Sequence, residues 1–201
     1  MSNTTKQPTG DFYAPINRYK QPGDSKPIFT GHMTQPGSDA KEPFALWAFE
    51  YTTKDGEVLR GYSGGINGVA TNIPAQAQIE VLMADAHAGN EVNIANLTLR
   101  PGQTVLFTNT FKADAPDKNR PDLWGWTNPT DGKPPFRQSV WLKQFEDSGR
   151  PYLSGVTQYP LPGKSEREQQ DAVAAMSDLV RDGVVTKGMP EKRKSRGGRA
   201  G

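Results

Sequence analysis

Two stretches of equal length decide the fold: residues 27–61, PIFTGHMTQPGSDAKEPFALWAFEYTTKDGEVLRG, and residues 121–155, PDLWGWTNPTDGKPPFRQSVWLKQFEDSGRPYLSG. Read in parallel, Gly31, Thr34, Pro36, Asp39, Lys41, Pro43 and Phe44 recur as Gly125, Thr127, Pro129, Asp131, Lys133, Pro135 and Phe136. Farther on, Trp47, Gly56, Leu59 and Gly61 recur as Trp141, Gly149, Leu153 and Gly155. An ordered D-x-K-x-P-F run followed by a matching tryptophan is more than chance coincidence of Gly and Pro, and it reads as an internal repeat.

Each unit reads as strand, Pro/Asp/Lys loop, strand bearing the tryptophan, tight turn, strand. The segments are short, aromatic and β-branched, and Gly, Pro and Asp clusters separate them. Lys54-Asp55-Gly56 is a hairpin signal, because Asp-Gly readily takes the positive φ of a tight turn. In FALWAFEY, both alternating faces are largely apolar, which marks a strand buried on two sides. A three-stranded meander of this size is marginal alone. The expected fold is therefore mainly β, with the two meanders sharing a core as one pseudo-symmetric barrel or sandwich, or forming two small OB-like barrels.

Outward from these units, residues 1–24 read as an extended N-terminal arm, with Phe12, Tyr13 and Tyr19 pinning it to the body. Unit 1 with additional strands takes residues 25–113, unit 2 residues 114–163. GGINGVATNIPAQ (residues 64–76) is a loop, residues 78–86 suit a strand or a short helix with strand favoured, and residues 114–120 read as a charged linker. After Pro162-Gly163, Ser165 and Glu168 form a capping box that opens a helix over residues 164–183. Its apolar stripe of Ala172, Val173, Met176, Leu179 and Val180 packs on the body, and Gly183 ends it. Residues 184–201 read as a basic disordered tail.

Composition narrows the chemistry. The absence of cysteine excludes disulfides and thiolate metal sites. The first residues carry no secretory signal and no segment has the roughly 20 apolar residues of a membrane span, so the expectation is a cytoplasmic protein with no membrane association. The net charge of +2 is unevenly placed. Lys187, Lys192, Arg193, Lys194, Arg196 and Arg199 against Glu191 give the last residues +5, which leaves residues 1–186 at −3.

No catalytic constellation is present, and the expectation is a protein that is not an enzyme. His32 and His87 stand in unrelated contexts. Gly61-Tyr62-Ser63-Gly64-Gly65 lacks the Lys-Ser/Thr of a phosphate loop. Asp39 and Asp131 are explained by turn chemistry. Neither a metal nor a cofactor is expected. Binding fits better, because sheets that hold single strands combine aromatic stacking platforms with nearby cations. Trp124 and Trp126 alternate on one strand and have no counterpart in unit 1. Arg137, Lys143, Phe145 and Tyr152 lie close by, Arg60 and Tyr62 accompany unit 1, and Lys192, Arg193, Lys194, Arg196 and Arg199 of the tail suit phosphates. Trp47 and Trp141, repeated in both units, read as core.

The stretches ALWAFEYTTKDGEVLRG and SVWLKQFEDSGRPYLSG resemble a strand–turn–strand of small β proteins carried by bacterial plasmids and phages. Their W…G…L-x-G spacing also resembles the bacterial single-stranded DNA-binding OB fold. The likeness covers about 20 residues per unit, stops short of a five-stranded barrel, and departs in the −3 body. It implies a binding module of replication, recombination or conjugation; with the aromatic and basic residues above, the expectation is a protein of phage or plasmid DNA metabolism in a bacterial cytoplasm, with single-stranded nucleic acid as partner. The rival expectations are an accessory protein that binds and modulates a host protein, and a virion component; the acidic body favours these. Oligomeric state is not encoded in any motif.

Overall fold

The computed structural model describes residues 7–69 and 72–181, the side chains of 178–181 apart. Eight strands close into one barrel: β1 (Thr9–Pro15), β2 (Phe29–Thr34), β3 (Lys41–Thr52), β4 (Val58–Ile66), β5 (Gln103–Thr108), β6 (Leu123–Thr127), β7 (Phe136–Gln144) and β8 (Pro151–Gln158). Each runs antiparallel to its sequence neighbour, and β8 pairs with β1 to close the ring. One barrel, not two, is the outcome. The Asp55-Gly56 hairpin joins β3 to β4, with Gly56 at φ 83. Between β4 and β5 lie a helix, α1 (Gln76–Ala88), and a short 3₁₀ turn (Ile94–Leu97); a second helix, α2 (Glu166–Arg181), follows β8.

Alternation along each strand sorts side chains into two sets. The inward set, including Phe12, Ala14, Phe29, Met33, Phe44, Leu46, Leu106, Val140 and Leu153, forms a single buried cluster filling the barrel. At one end this interior turns polar. Thr104, Thr127 and Gln138 bond one another there, with the Thr127 hydroxyl 2.8 Å from that of Thr104. Paired in this way, the three side chains meet the requirement that buried polar groups be hydrogen-bonded.

The barrel is pseudo-symmetric, with β1–β4 matching β5–β8. Trp47 lies opposite Ser63 and Trp141 opposite Ser154. Each indole Nε1 donates to a backbone carbonyl 22 residues upstream, Trp47 to Ser25 at 2.8 Å and Trp141 to Asn119 at 3.2 Å. Asn17 and Asn109 also match. Their Nδ2 atoms donate to the carbonyls of Pro27 and Pro121, and their Oδ1 atoms accept from the amides of Tyr19 and Phe111. The register mate of Gly155 is Gly64 rather than Gly61, because β3 and β4 run farther past the tryptophan before turning. Phe44 likewise matches Gln138 and not Phe136, because Gly31 pairs with Phe44 and Gly125 with Gln138 at the same spacing in the two halves.

Three expectations are corrected. Residues 9–15 are not part of an arm. They are strand β1, with Phe12 and Ala14 buried; the inward Gly10 and Ala14 are too small to show the alternation in sequence. Residues 78–86 are helix rather than strand. Ile79, Leu82 and Ala86 are buried at helical spacing, Gln78 Oε1 accepts from the Ala75 amide at the entry, and Gly89 ends the helix at φ 79. Trp47 is not core: it is 41% exposed, on the outside of the wall, and Trp141 is half-buried there. The Ser165/Glu168 capping box is present, with Ser165 N donating to Glu168 Oε2 at 2.8 Å. Gly183 and the tail lie outside the described residues.

Two matched glycines let neighbouring strands meet. A Cβ on Gly31 would stand 1.9 Å from the Tyr13 carbonyl oxygen, and one on Gly125 would stand 1.9 Å from that of Val105. These are backbone atoms that no rotamer change can move. Gly31→Ala and Gly125→Ala should each lower stability in urea unfolding by about 1–3 kcal/mol, the usual range for overpacking. Similar losses at the two sites are expected; a variant of either kind as stable as the parent would contradict the close approach.

Candidate nucleic-acid interface

With the interior filled, the outward set of side chains must be covered or meet solvent. α1 and the 3₁₀ turn cover part of the wall: Phe49, Tyr51, Val105, Phe107 and Trp124 pack against Ile79, Leu82, Ala86 and Leu97. α2 covers another part, burying Glu166, Gln169, Gln170, Val173 and Ala174. The outward residues of β8, β1 and β2 are left partly open, among them Tyr152, Ser154, Tyr13, Thr30 and His32.

This open face carries a row of rings. Phe145 stacks on Tyr152 with centroids 4.5 Å apart and planes at 30°. Tyr152 lies 5.8 Å from Tyr13, and Tyr13 lies 5.8 Å from His32, its register partner on β2. Strand pairing sets the spacing, since Tyr152 and Ser154 share a face of β8 and Ser154 stands opposite both Tyr13 and Trp141. The small Ser154 leaves room between the larger rings. Lys143 is the register partner of Tyr152. Arg18 and Arg150 join Tyr13, Tyr19 and Phe145 around a hollow of about 300 Å³. Acidic groups are present as well: Asp11 faces outward on β1, and Glu146 and Asp147 lie in the β7–β8 turn.

No family model, curated protein or solved structure gives a significant match to this chain. Function must therefore be argued from the surface itself. Among the described residues no group of three or more His, Asp or Glu side chains is placed to hold a metal ion, and no helix is long and apolar enough to cross a membrane.

The residues singled out in sequence do not stay together. Lys143, Phe145 and Tyr152 come together on the open face. Trp124 and Trp126 do not reach a surface; they are 0% and 4% exposed, under α1 and α2. Alternation placed them correctly on one face of β6, but the helices that cover that face come from distant sequence. Arg137 is wholly buried, its Nη2 2.5 Å from Glu166 Oε1. Tyr62 points into the barrel, edge-on to Phe29, and Arg60 is exposed on β4 away from the ring row. Lys192, Arg193, Lys194, Arg196 and Arg199 lie outside the described residues. Tyr13, His32 and Arg18 were not singled out for binding; the signal for Tyr13 was the alternation of DFYAP, hidden by the reading of that segment as an arm.

The Arg137–Glu166 pair docks α2 on the wall. Burial pushes the Glu166 carboxyl above its ordinary range, against the pull of Arg137 and a hydrogen bond from Gln170. A buried pair of this kind adds little net stability, yet removing one partner strands the other. Arg137→Ala should cost about 3–5 kcal/mol in urea unfolding, whereas Arg137→Met with Glu166→Leu should cost much less. Equal losses for the single and double variants would refute this account of the pair.

Proposed function

We propose that the chain is a non-catalytic protein that binds single-stranded nucleic acid across β8, β1 and β2. The observation that carries this reading is the row Phe145–Tyr152–Tyr13–His32 on a wall no described helix covers. Each base presents a π-face, so such a row accepts bases with little regard to sequence, at about 1–3 kcal/mol per stacked base. Lys143, Arg150 and Arg18 supply cations beside the rings, and a basic C-terminal tail adds phosphate contacts. The resemblance noted in the sequence supports a role in the DNA metabolism of a phage or plasmid, in the bacterial cytoplasm.

A second reading, a face that binds a protein partner, draws support from Asp11, Glu146 and Asp147 beside the rings, which oppose a polyanion.

Titration with oligo-dT at two salt concentrations, followed by tryptophan fluorescence, separates the two. Trp141, on the same register row as Tyr13, is the reporter. Quenching that weakens with salt is expected, with Tyr13→Ala and Tyr152→Ala each reducing affinity roughly five- to a hundredfold. Lys143→Gln should lower the salt slope by about 0.7, the value for one phosphate of a single strand. No quenching at low salt, or full affinity in both tyrosine variants, would favour the protein-partner reading instead.

A further inference from the structure

Beneath α2 the wall is basic and aromatic. Arg137 on β7 stands in register with Trp126 on β6, and Arg120 and Lys118, in the segment entering β6, extend the strip. A carboxylate of α2 holds each of the three cations. Glu166 lies 2.5 Å from Arg137, and Asp171 lies 2.8 Å from Arg120 and 2.7 Å from Lys118. Two buried donors of the strip, Trp126 Nε1 and Arg137 Nε, have no acceptor among the described residues. The Trp126 ring also borders a cavity of about 30 Å³ shared with Glu166, Gln169 and Lys164.

The contact lacks a strong apolar seal. Of the described α2 side chains that are fully buried, Glu166, Gln169 and Gln170 are polar, and only Val173 and Ala174 are apolar. Charge pairs to Arg137, Arg120 and Lys118 and a buried hydrogen bond from Asn109 to Gln170 hold the helix, and a polyanion competes for the first three of these contacts. The strip also has a defined place in the pseudo-symmetry. Trp126 and Arg137 are the register mates of His32 and Pro43, so the strip is the counterpart, in the second half of the barrel, of the β2–β3 wall, which meets the open face at His32.

We infer that α2 is an acidic strap over a second single-strand track, formed by Arg137, Arg120, Lys118 and the indole edge of Trp126. Nucleic-acid phosphates and the carboxylates of Glu166 and Asp171 compete for that track. This rests on the single-strand reading of the open face. Displacing the strap lengthens the bound segment and gives the two orphaned donors acceptors.

The test uses the full chain and oligo-dT. Glu166→Gln with Asp171→Asn removes the competing charge at nearly constant volume. This variant should bind at least tenfold tighter at low salt, with a salt slope steeper by about 0.7 for each phosphate gained. Its gain should survive Tyr13→Ala with Tyr152→Ala, which disable the open face. If the charge variant does not fold, a staple decides. Asn119 Nδ2 lies 3.1 Å from Ser177 Oγ, and in a chain without cysteine Asn119→Cys with Ser177→Cys gives a single disulfide that ties α2 to the barrel. Oxidation of the staple should weaken binding and flatten the salt slope, and reduction should restore both. A folded charge variant with unchanged or weaker affinity, or a staple whose redox state leaves the slope unaltered, overturns the strap. A parent chain that binds no oligo-dT overturns the open-face reading. In that case the strap survives only if the charge variant binds, and both fall if it does not.

Discussion

Closure of the sheet is the constraint on which the rest depends. Eight strands enclose a space just wide enough to be filled by side chains. One alternating set of residues is committed to that filling, here an apolar cluster running from Phe12 to Leu153. The complementary set is turned outward on all eight strands. Glycine at Gly31 and Gly125, in matching places of the two halves, lets β1 and β2, and β5 and β6, approach more closely than a Cβ would allow. Once it has closed, the barrel has no free edge, and the remaining chemistry of the described residues lies in how the outer wall is clothed.

The two halves share a backbone and differ in covering. The indole pins, the asparagine turns and the glycine contacts repeat with the same geometry. The insertion between β4 and β5 and the segment after β8 add α1 and α2, and both lie over the wall that includes β5, β6 and β7. The wall of β8, β1 and β2 keeps its aromatic residues open. Function is therefore argued from an asymmetry laid over a near-symmetric frame.

That distinction also explains what was legible in the sequence. The strands on either side of Trp47 and Trp141, the Asp55-Gly56 hairpin and the Ser165/Glu168 cap all depend on local chemistry, and each could be read directly. β1 escaped notice because Gly10 and Ala14 contribute little apolar signal and its partners, β2 and β8, include the strand most distant in sequence. Residues 78–86 misled because a short apolar run suits either strand or helix when only one face of it is buried. Trp124 and Trp126 were placed on the correct face of β6, but no local pattern announces that helices from other parts of the chain will cover it. The open row was half visible: Lys143, Phe145 and Tyr152 are neighbours in sequence, whereas Tyr13 and His32 join them only through the β8–β1–β2 pairing.

Seven of the eight strand pairings join consecutive strands, but the β1–β8 seam links residues roughly 140 positions apart. Such a contact has the largest chain-entropy barrier in the molecule and belongs late in folding. During synthesis β1 emerges first and has one of its two neighbours only when the last strand is made. An unfinished barrel thus presents two free edges, of β1 and of β8, each complementary to the opposite edge of another copy. Exchange of the first strand between copies is the misassembly this topology invites, and it would carry Tyr13 with it into a neighbouring molecule.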